Sequence, residues 1–280
     1  MSKATLLAAV LMVSVGFVGI GVPRKATADD HGITVTVKGE SWDADSRGFA
    51  YIAGLSKKDG ERTSARRGSR ISVDGQPDKF AISGPGPGFE LTFTTTEPSF
   101  RLIVEGDRFP RVLTQPYNVP EGGGELDIGR IDAPRAEGPE HTWPLPMAAN
   151  ELGYATAFEM LADNKAAIRI LVMGSGAEGA PDLADDSTIS IEGADAKVLP
   201  FDMDTQITFF QMTGPRVGAF LVIVPFADGE APDKDVIIKV TDTVTETTWD
   251  PPRPWIYDPM IASVRNGFST PTIRFHPRID

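Results

Sequence analysis

The sequence predicts an all-β protein with two consecutive antiparallel β-sandwich units behind a signal peptide. Three observations support this fold class. Short runs rich in Val, Ile, Thr and Phe alternate between apolar and polar residues, which is the period of a strand with one buried face. The 28 glycines and 23 prolines among 280 residues separate those runs as turns do. Most runs also follow one another too closely for a crossover helix to fit between them.

The N-terminus has the layout of a secretory signal peptide. Lys3 supplies a positive start, residues 6–22 form an unbroken apolar run of 17 residues, and Ala26 and Ala28 occupy the −3 and −1 positions of a cleavage site. Cleavage is expected between Ala28 and Asp29, which predicts a periplasmic or extracellular location. The competing interpretation is an uncleaved membrane anchor, because this run reaches the lower end of the spanning range.

The first unit begins with the clearest strand patterns. Residues 33–38 (ITVTVK) alternate strictly, and residues 89–94 (FELTFT) place Phe89, Leu91 and Phe93 on one inward face. Further strands are predicted at residues 100–104, 168–173, 188–191, 206–210, 219–224 and 236–240.

Residues 150–164 fit two structures. Asn150 would cap a helix, but the stretch GYATAFEML also alternates well enough for an edge strand. The neighbouring segments are all predicted strands, so the context favours a strand here.

A proline-rich segment without periodicity divides the chain. It carries four prolines and is typical of an extended linker. The predicted organisation is a signal peptide (1–28), a first sandwich (29–133), the linker (134–149), a second sandwich (150–248) and a proline- and aromatic-rich C-terminal segment (249–280).

Cysteine content and charge exclude several classes of function. The chain has no cysteine, which excludes disulfides, thiolate catalysis and cysteine-based metal sites. Its 39 Asp and Glu against 27 Lys and Arg give a net charge of −12, and the signal peptide carries only positive charges. Such a protein repels phosphate, so nucleic acid is not an expected partner. No second apolar run approaches spanning length, so the mature protein is expected to be soluble.

Residues 71–131 resemble a carboxypeptidase regulatory-like domain, a transthyretin-like sandwich. The motifs are DKFAI at residues 78–82, GPGPGFELTF at 84–93, EGDRFP at 105–110 and ELDIGRI at 125–131, and residues 168–193 resemble the same family more faintly. Asp78-Lys79 departs from the Asp-Gly of the family pattern. The resemblance implies a non-catalytic domain and transfers no catalytic residue. The residues themselves predict that Asp127 accepts backbone hydrogen bonds beside Gly129.

Several motifs suggest chemistry without the context that the chemistry needs. A glycine-rich segment at residues 174–179 follows an apolar strand, but the next strand begins too soon for the helix of a dinucleotide site. Asp202 and Asp204 are typical of a turn, with a calcium site as the alternative. All three histidines lie in predicted linkers or termini, where His31 offers a possible terminal copper ligand. The sequence therefore identifies no catalytic residue, metal site or cofactor.

The strongest candidate for binding is aromatic. Trp249, Trp255 and Tyr257 lie in a stretch stiffened by prolines, and flat rings on a rigid backbone can stack on a sugar or grip a partner's side chains. The alternative is that the three rings clamp the end of the second sandwich.

Together these features predict an exported, non-catalytic binding or structural module of the bacterial envelope or extracellular space. Its possible partners are a glycan or another envelope protein. Two alternatives stay open, namely a carbohydrate- or peptide-binding accessory protein that uses the aromatic residues, and a hydrolase whose carboxylates the sequence does not place.

Overall fold

The computed structural model covers most of both predicted units. It describes residues 32–43, 68–84, 86–106, 109–137, 144–173, 187–201, 217–227, 233–242, 245–246 and 253–278. Of these residues 60% lie in strands and 8% in helices, which confirms the all-β class. The predicted signal peptide, the predicted strand at 206–210, the glycine-rich segment, Asp202, Asp204 and Trp249 lie outside the described residues.

Nineteen strands and two helices make up the described chain. The strands are β1 (Ile33–Asp43), β2 (Arg70–Val73), β3 (Gln76–Ile82), β4 (Gly88–Thr95), β5 (Ser99–Phe100), β6 (Leu102–Glu105), β7 (Arg111–Leu113), β8 (Tyr117–Asn118), β9 (Gly124–Ala133), β10 (Lys165–Met173), β11 (Ser187–Glu192), β12 (Lys197–Phe201), β13 (Val217–Pro225), β14 (Asp233–Asp242), β15 (Thr245–Glu246), β16 (Arg253–Pro254), β17 (Met260–Arg265), β18 (Phe268–Ser269) and β19 (Ile273–Phe275). The helices, between β9 and β10, are α1 (Pro144–Glu151) and α2 (Ala157–Ala162). Neither of these two described helices is long and apolar enough to cross a membrane.

The strands form three main sheets. The N-sheet has the order β4-β1-β9, with β1 antiparallel to β4 and parallel to β9. The C-sheet has the order β11-β14-β17. Between them, the nine-stranded long sheet runs β12-β13-β10-β18-β7-β6-β2-β3, with β19 also paired to β10. Two small ribbons, β5-β8 and β15-β16, complete the described sheets.

The first hydrophobic core joins the N-sheet to one half of the long sheet. Burial alternates residue by residue along β4, and Leu91 is 3% exposed opposite Val37 of β1. These side chains pack with Ile71 of β2 and Leu102 of β6. The predicted inward face of residues 89–94 is therefore confirmed.

The second core joins the C-sheet to the other half of the long sheet. Ile168 and Ile170 of β10 pack in it with Val236 and Ile238 of β14. The opposite face of β10 and β13 is covered by α1 and α2, where Leu221 packs in a third cluster. Burial on both faces explains why these two strands have nearly continuous apolar sequences rather than alternating ones.

The strand prediction for residues 150–164 is wrong, because helices occupy most of this region. Thr156 caps α2 by accepting a hydrogen bond from the Glu159 N–H at 3.1 Å, and the Glu159 carboxylate accepts one from the Ala155 N–H at 3.1 Å. This Thr-x-x-Glu capping arrangement is a helix start signal. Helix α1 likewise begins at Pro144, within the segment predicted as an extended linker, and proline is favoured in a first helical turn.

The C-terminal segment connects the two predicted units. In β18, Phe268 pairs with Arg111 of β7, and Ser269 pairs with Ala167 of β10. A two-residue strand of the C-terminal segment thus links strands of the first unit to strands of the second unit in one sheet. Phe268 is 6% exposed and packs against Ile103 and Leu113 of the first unit.

Ion pairs at this joint cross between the units. Both Asp74 carboxylate oxygens accept hydrogen bonds from the Arg265 guanidinium, at 2.8 and 2.6 Å, and Asp233 pairs with both Arg265 and Arg101. Partial burial works to raise the pKa of Asp233, but the hydrogen bonds from Arg101 and Arg265 outweigh it, so the pKa lies below its ordinary value.

Asp233→Asn is expected to reduce the loss of folding stability that occurs as the pH falls below neutral. A carboxyl group with a lowered pKa in the folded state stabilises the protein above its unfolded pKa, and this contribution is lost as the pH falls through the folded pKa. Urea midpoints measured at pH 7 and at about pH 3 should therefore differ less in the variant than in the wild type. The matched control is Glu97→Gln, an exposed position. A wild-type pH dependence in Asp233→Asn would contradict this account of the joint.

Candidate functional site

The predicted aromatic site is mostly in the second core. Trp255 is 5% exposed and Tyr257 is 8% exposed, and both pack in that cluster. The Tyr257 ring meets the Phe275 ring edge-on, with 6.4 Å between centroids. Rings at this depth contribute packing and leave little surface for a ligand. Trp249 lies outside the described residues.

A shallow cavity of about 660 Å³ lies instead at one end of the N-sheet. We call it the N-sheet cavity. Its lining residues come from all three strands of that sheet and are Lys38, Gly39, Glu40, Gly88, Phe89, Glu90, Asp127, Gly129 and Arg130.

A β-bulge shapes this cavity. The register of β1 against β9 shifts between Lys38 and Glu40, where Gly39 faces the extra residue of β9. A Cβ on Gly39 would approach the Gly129 carbonyl oxygen to 3.0 Å, so the two backbones meet too closely for a side chain. Gly129 has a positive φ of 67°, and its N–H donates to Asp127 Oδ1 at 2.8 Å. The predicted backbone hydrogen bond to Asp127 is confirmed.

The polar face of the N-sheet carries charge to the rim of the cavity. Lys38 Nζ lies 2.8 Å from Glu125 Oε1 and 3.9 Å from Glu90 Oε2. The hydrogen bond with Glu125 raises the pKa of Lys38 above its ordinary value. Lys38 is therefore cationic at neutral pH and is held mainly by Glu125, while the Glu90 side chain stays 63% exposed.

The opposite wall of the cavity is fixed to the C-terminal segment. Trp42 Nε1 donates to Glu40 Oε2 at 2.7 Å, and the Arg130 guanidinium lies 4.6 Å from the centroid of the Trp42 ring. Arg130 pairs with the buried Asp132, which also accepts a hydrogen bond from Arg274 of β19 at 3.1 Å. Glu40 and Arg130 are thus positioned by packing and hydrogen bonds rather than left free to move.

The cavity offers mainly hydrogen-bond acceptors. It contains three carboxylates, whereas both cations, Lys38 and Arg130, already have carboxylate partners within the protein. Acceptor-rich surfaces bind hydroxyl groups or organic cations. The described residues include no group of three or more His, Asp and Glu that could hold a metal ion.

Most of the cavity-lining residues are not identified by the sequence patterns. The polar side chains that line the cavity lie on the exposed face of strands whose inward face was predicted. Their sequence pattern is therefore that of ordinary solvent-exposed positions. The available signals were a glycine inside the strand at Gly39 and the Asp127-x-Gly129 sequence, both of which mark a bulge or turn.

The comparisons with known proteins identify no family for this chain. No protein-family model matches it, and no curated protein matches its sequence. A solved structure titled "The Bacillus anthracis TIE protein" is similar over 86% of this chain and 33% of that chain, with 9% identity and a TM-score of 0.23. The chain thus spans about a third of that protein's length, and a similarity at this level carries no argument about function.

Proposed function

We propose that this chain is an exported, non-catalytic binding module of the bacterial envelope or extracellular space. In this proposal it consists of two transthyretin-like sandwich units and binds its partner at the N-sheet cavity. The observation that carries the proposal is a charged, open cavity on a packed β scaffold, with its polar side chains held in place by neighbours.

The dimensions and composition of the cavity support binding. Its volume of about 660 Å³ is within the range of small-molecule pockets. Gly88 and Gly129 have open space where a Cβ would lie, so a partner can approach the strands closely at these two positions. The lining carboxylates give orientation through hydrogen bonds.

The same features support binding over hydrolysis. The lining residues include no Ser, Thr, Cys or His as nucleophile or base. Glu90 and Asp127 are exposed, and the cavity is open to solvent. Acid–base chemistry by carboxylates instead favours a closed site from which water is expelled.

Photo-cross-linking in intact cells tests the proposed surface. A benzophenone amino acid placed at Glu90, on the cavity rim, should form a specific adduct in the cells that export the protein. The matched control places the same group at Ser190, which is exposed on the outer face of the C-sheet. Equal adducts from both positions, or none from position 90, would contradict the proposal.

Export is tested separately by the mass of the mature protein. Intact-mass measurement of protein from the periplasm or medium should give a chain that begins at Asp29. A full-length chain retained in the cytoplasm would contradict the proposed location.

A further inference from the structure

Beside the N-sheet cavity, β9 is an edge strand in the described part of the chain. It hydrogen-bonds to β1 on one side and to no described strand on the other. Its residues from Gly124 to Gly129 are exposed or half-buried, whereas its last three residues are buried. An edge of this kind presents unpaired backbone N–H and C=O groups that another extended chain can bind.

Three other sheet edges among the described residues are less suited to pairing. The end strands of the long sheet, β3 and β12, carry Pro77 and Pro200, and proline removes a backbone donor. The outer edge of β4 is approached by β3, where Gln76 Nε2 donates to the Thr94 carbonyl oxygen at 3.2 Å. The exposed half of β9 has no proline and no such contact with a described strand.

On the inward side of β9, an added strand would be favoured by apolar side chains. Leu126 and Ile128 are half-buried and pack against the first core. Leu126 lies opposite the buried Val37, so it faces the core side of the sheet. A strand added at this edge would place alternate side chains next to Leu126 and Ile128 and extend the core.

On the outward side of β9, an added strand would be favoured by positively charged side chains. Glu125 and Asp127 point to the polar face, opposite Thr36 and Lys38. The side chain of Glu125 is 70% exposed even though it accepts a hydrogen bond from Lys38. Cross-strand pairs of opposite charge stabilise a sheet, and a chain of net charge −12 attracts basic partners over longer distances. The same carboxylates repel a second copy of this acidic edge.

We propose that β9 binds an extended basic segment of a partner protein as an added strand. Lys or Arg side chains at alternate positions lie against Glu125 and Asp127, and the intervening apolar side chains lie against Leu126 and Ile128. The bulge at Gly129 ends the pairing, so the segment covers residues 124–128 of β9. This inference rests on the proposed binding function and names the partner class for that surface.

Fluorescence anisotropy with a synthetic peptide tests the pairing. The probe is a fluorescein-labelled Lys-Val-Lys-Ile-Lys-Val amide, and the controls are Glu-Val-Glu-Ile-Glu-Val and a Lys-Lys-Ile-Val-Val-Lys peptide of the same composition. We expect saturable binding of the alternating basic peptide and a lower affinity for both control peptides. Equal binding of the three peptides, or no binding of the first, would overturn the proposal.

Two further variants separate strand pairing from simple charge attraction. Glu125→Gln with Asp127→Asn keeps both side-chain shapes and the oxygen that caps Gly129, and it should weaken binding about tenfold, while Glu192→Gln on the C-sheet should not. N-methylation of one alternate set of peptide nitrogens should abolish binding, and methylation of the other set should preserve it. Equal affinity of both methylated peptides would overturn the proposal. Cross-linking from position 90 that persists when the peptide fails to bind would leave the proposed function standing and remove this inference alone.

Discussion

Replacing Phe268 by alanine is expected to lower the free energy of unfolding by about 3–5 kcal/mol, as other buried phenylalanine truncations do. The ring packs against Ile103 and Leu113, and the guanidinium groups of Arg111 and Arg265 lie 4.3 and 5.3 Å from its centroid. The change therefore removes the buried ring at the centre of the contact between the two predicted units. Urea unfolding followed by intrinsic fluorescence measures the effect.

The matched control is Phe158→Ala on α2, where the ring is 40% exposed. Because less of this ring is buried than of the Phe268 ring, the expected cost is smaller, below about 2 kcal/mol. Similar losses for the two substitutions would show that Phe268 does not join the halves as described.

Leu91→Ala is expected to cost about 2–5 kcal/mol in the free energy of unfolding. The side chain is 3% exposed at the centre of β4, in the first core, and its removal leaves a cavity between the N-sheet and the long sheet. Thermal or urea unfolding of the purified protein measures the change.

The neighbouring residue supplies the control for this strand. Glu90 points to solvent from the same strand, so Glu90→Ala should cost less than about 0.5 kcal/mol. A loss at Glu90 as large as that at Leu91 would mean that the two faces of β4 are assigned the wrong way round.

Local patterns carried most of the fold prediction. The strict alternation of residues 33–38 and 89–94 appears in the structure as paired strands with one buried face, because a period of two forces alternate side chains to opposite sides. The context of neighbouring strands favoured a strand over the helix alternative at residues 150–164, whereas the Thr156-x-x-Glu159 cap starts a helix at Ala157–Ala162. This capping motif is a local signal that can be read from the sequence alone.

Features that depend on distant residues were not predictable in the same way. The pairing of Phe268 with Arg111 joins positions far apart in the chain, and a two-residue strand has no periodicity to detect. The N-sheet cavity has the same origin, because Lys38, Glu90 and Asp127 become neighbours only through the register of three strands. The two buried aromatic residues, Trp255 and Tyr257, show that ring content alone does not distinguish a ligand platform from a core.

Calorimetric unfolding tests the central claim most directly. This claim is that the sheet running through β18 makes the two predicted units unfold as one cooperative unit. A two-state protein shows one transition whose calorimetric enthalpy equals the van't Hoff enthalpy. We predict one such transition for the full chain, with Phe268→Ala shifting the whole transition to lower temperature. Two separate transitions in the wild type, with Phe268→Ala leaving the transition of either half unchanged, would contradict the account.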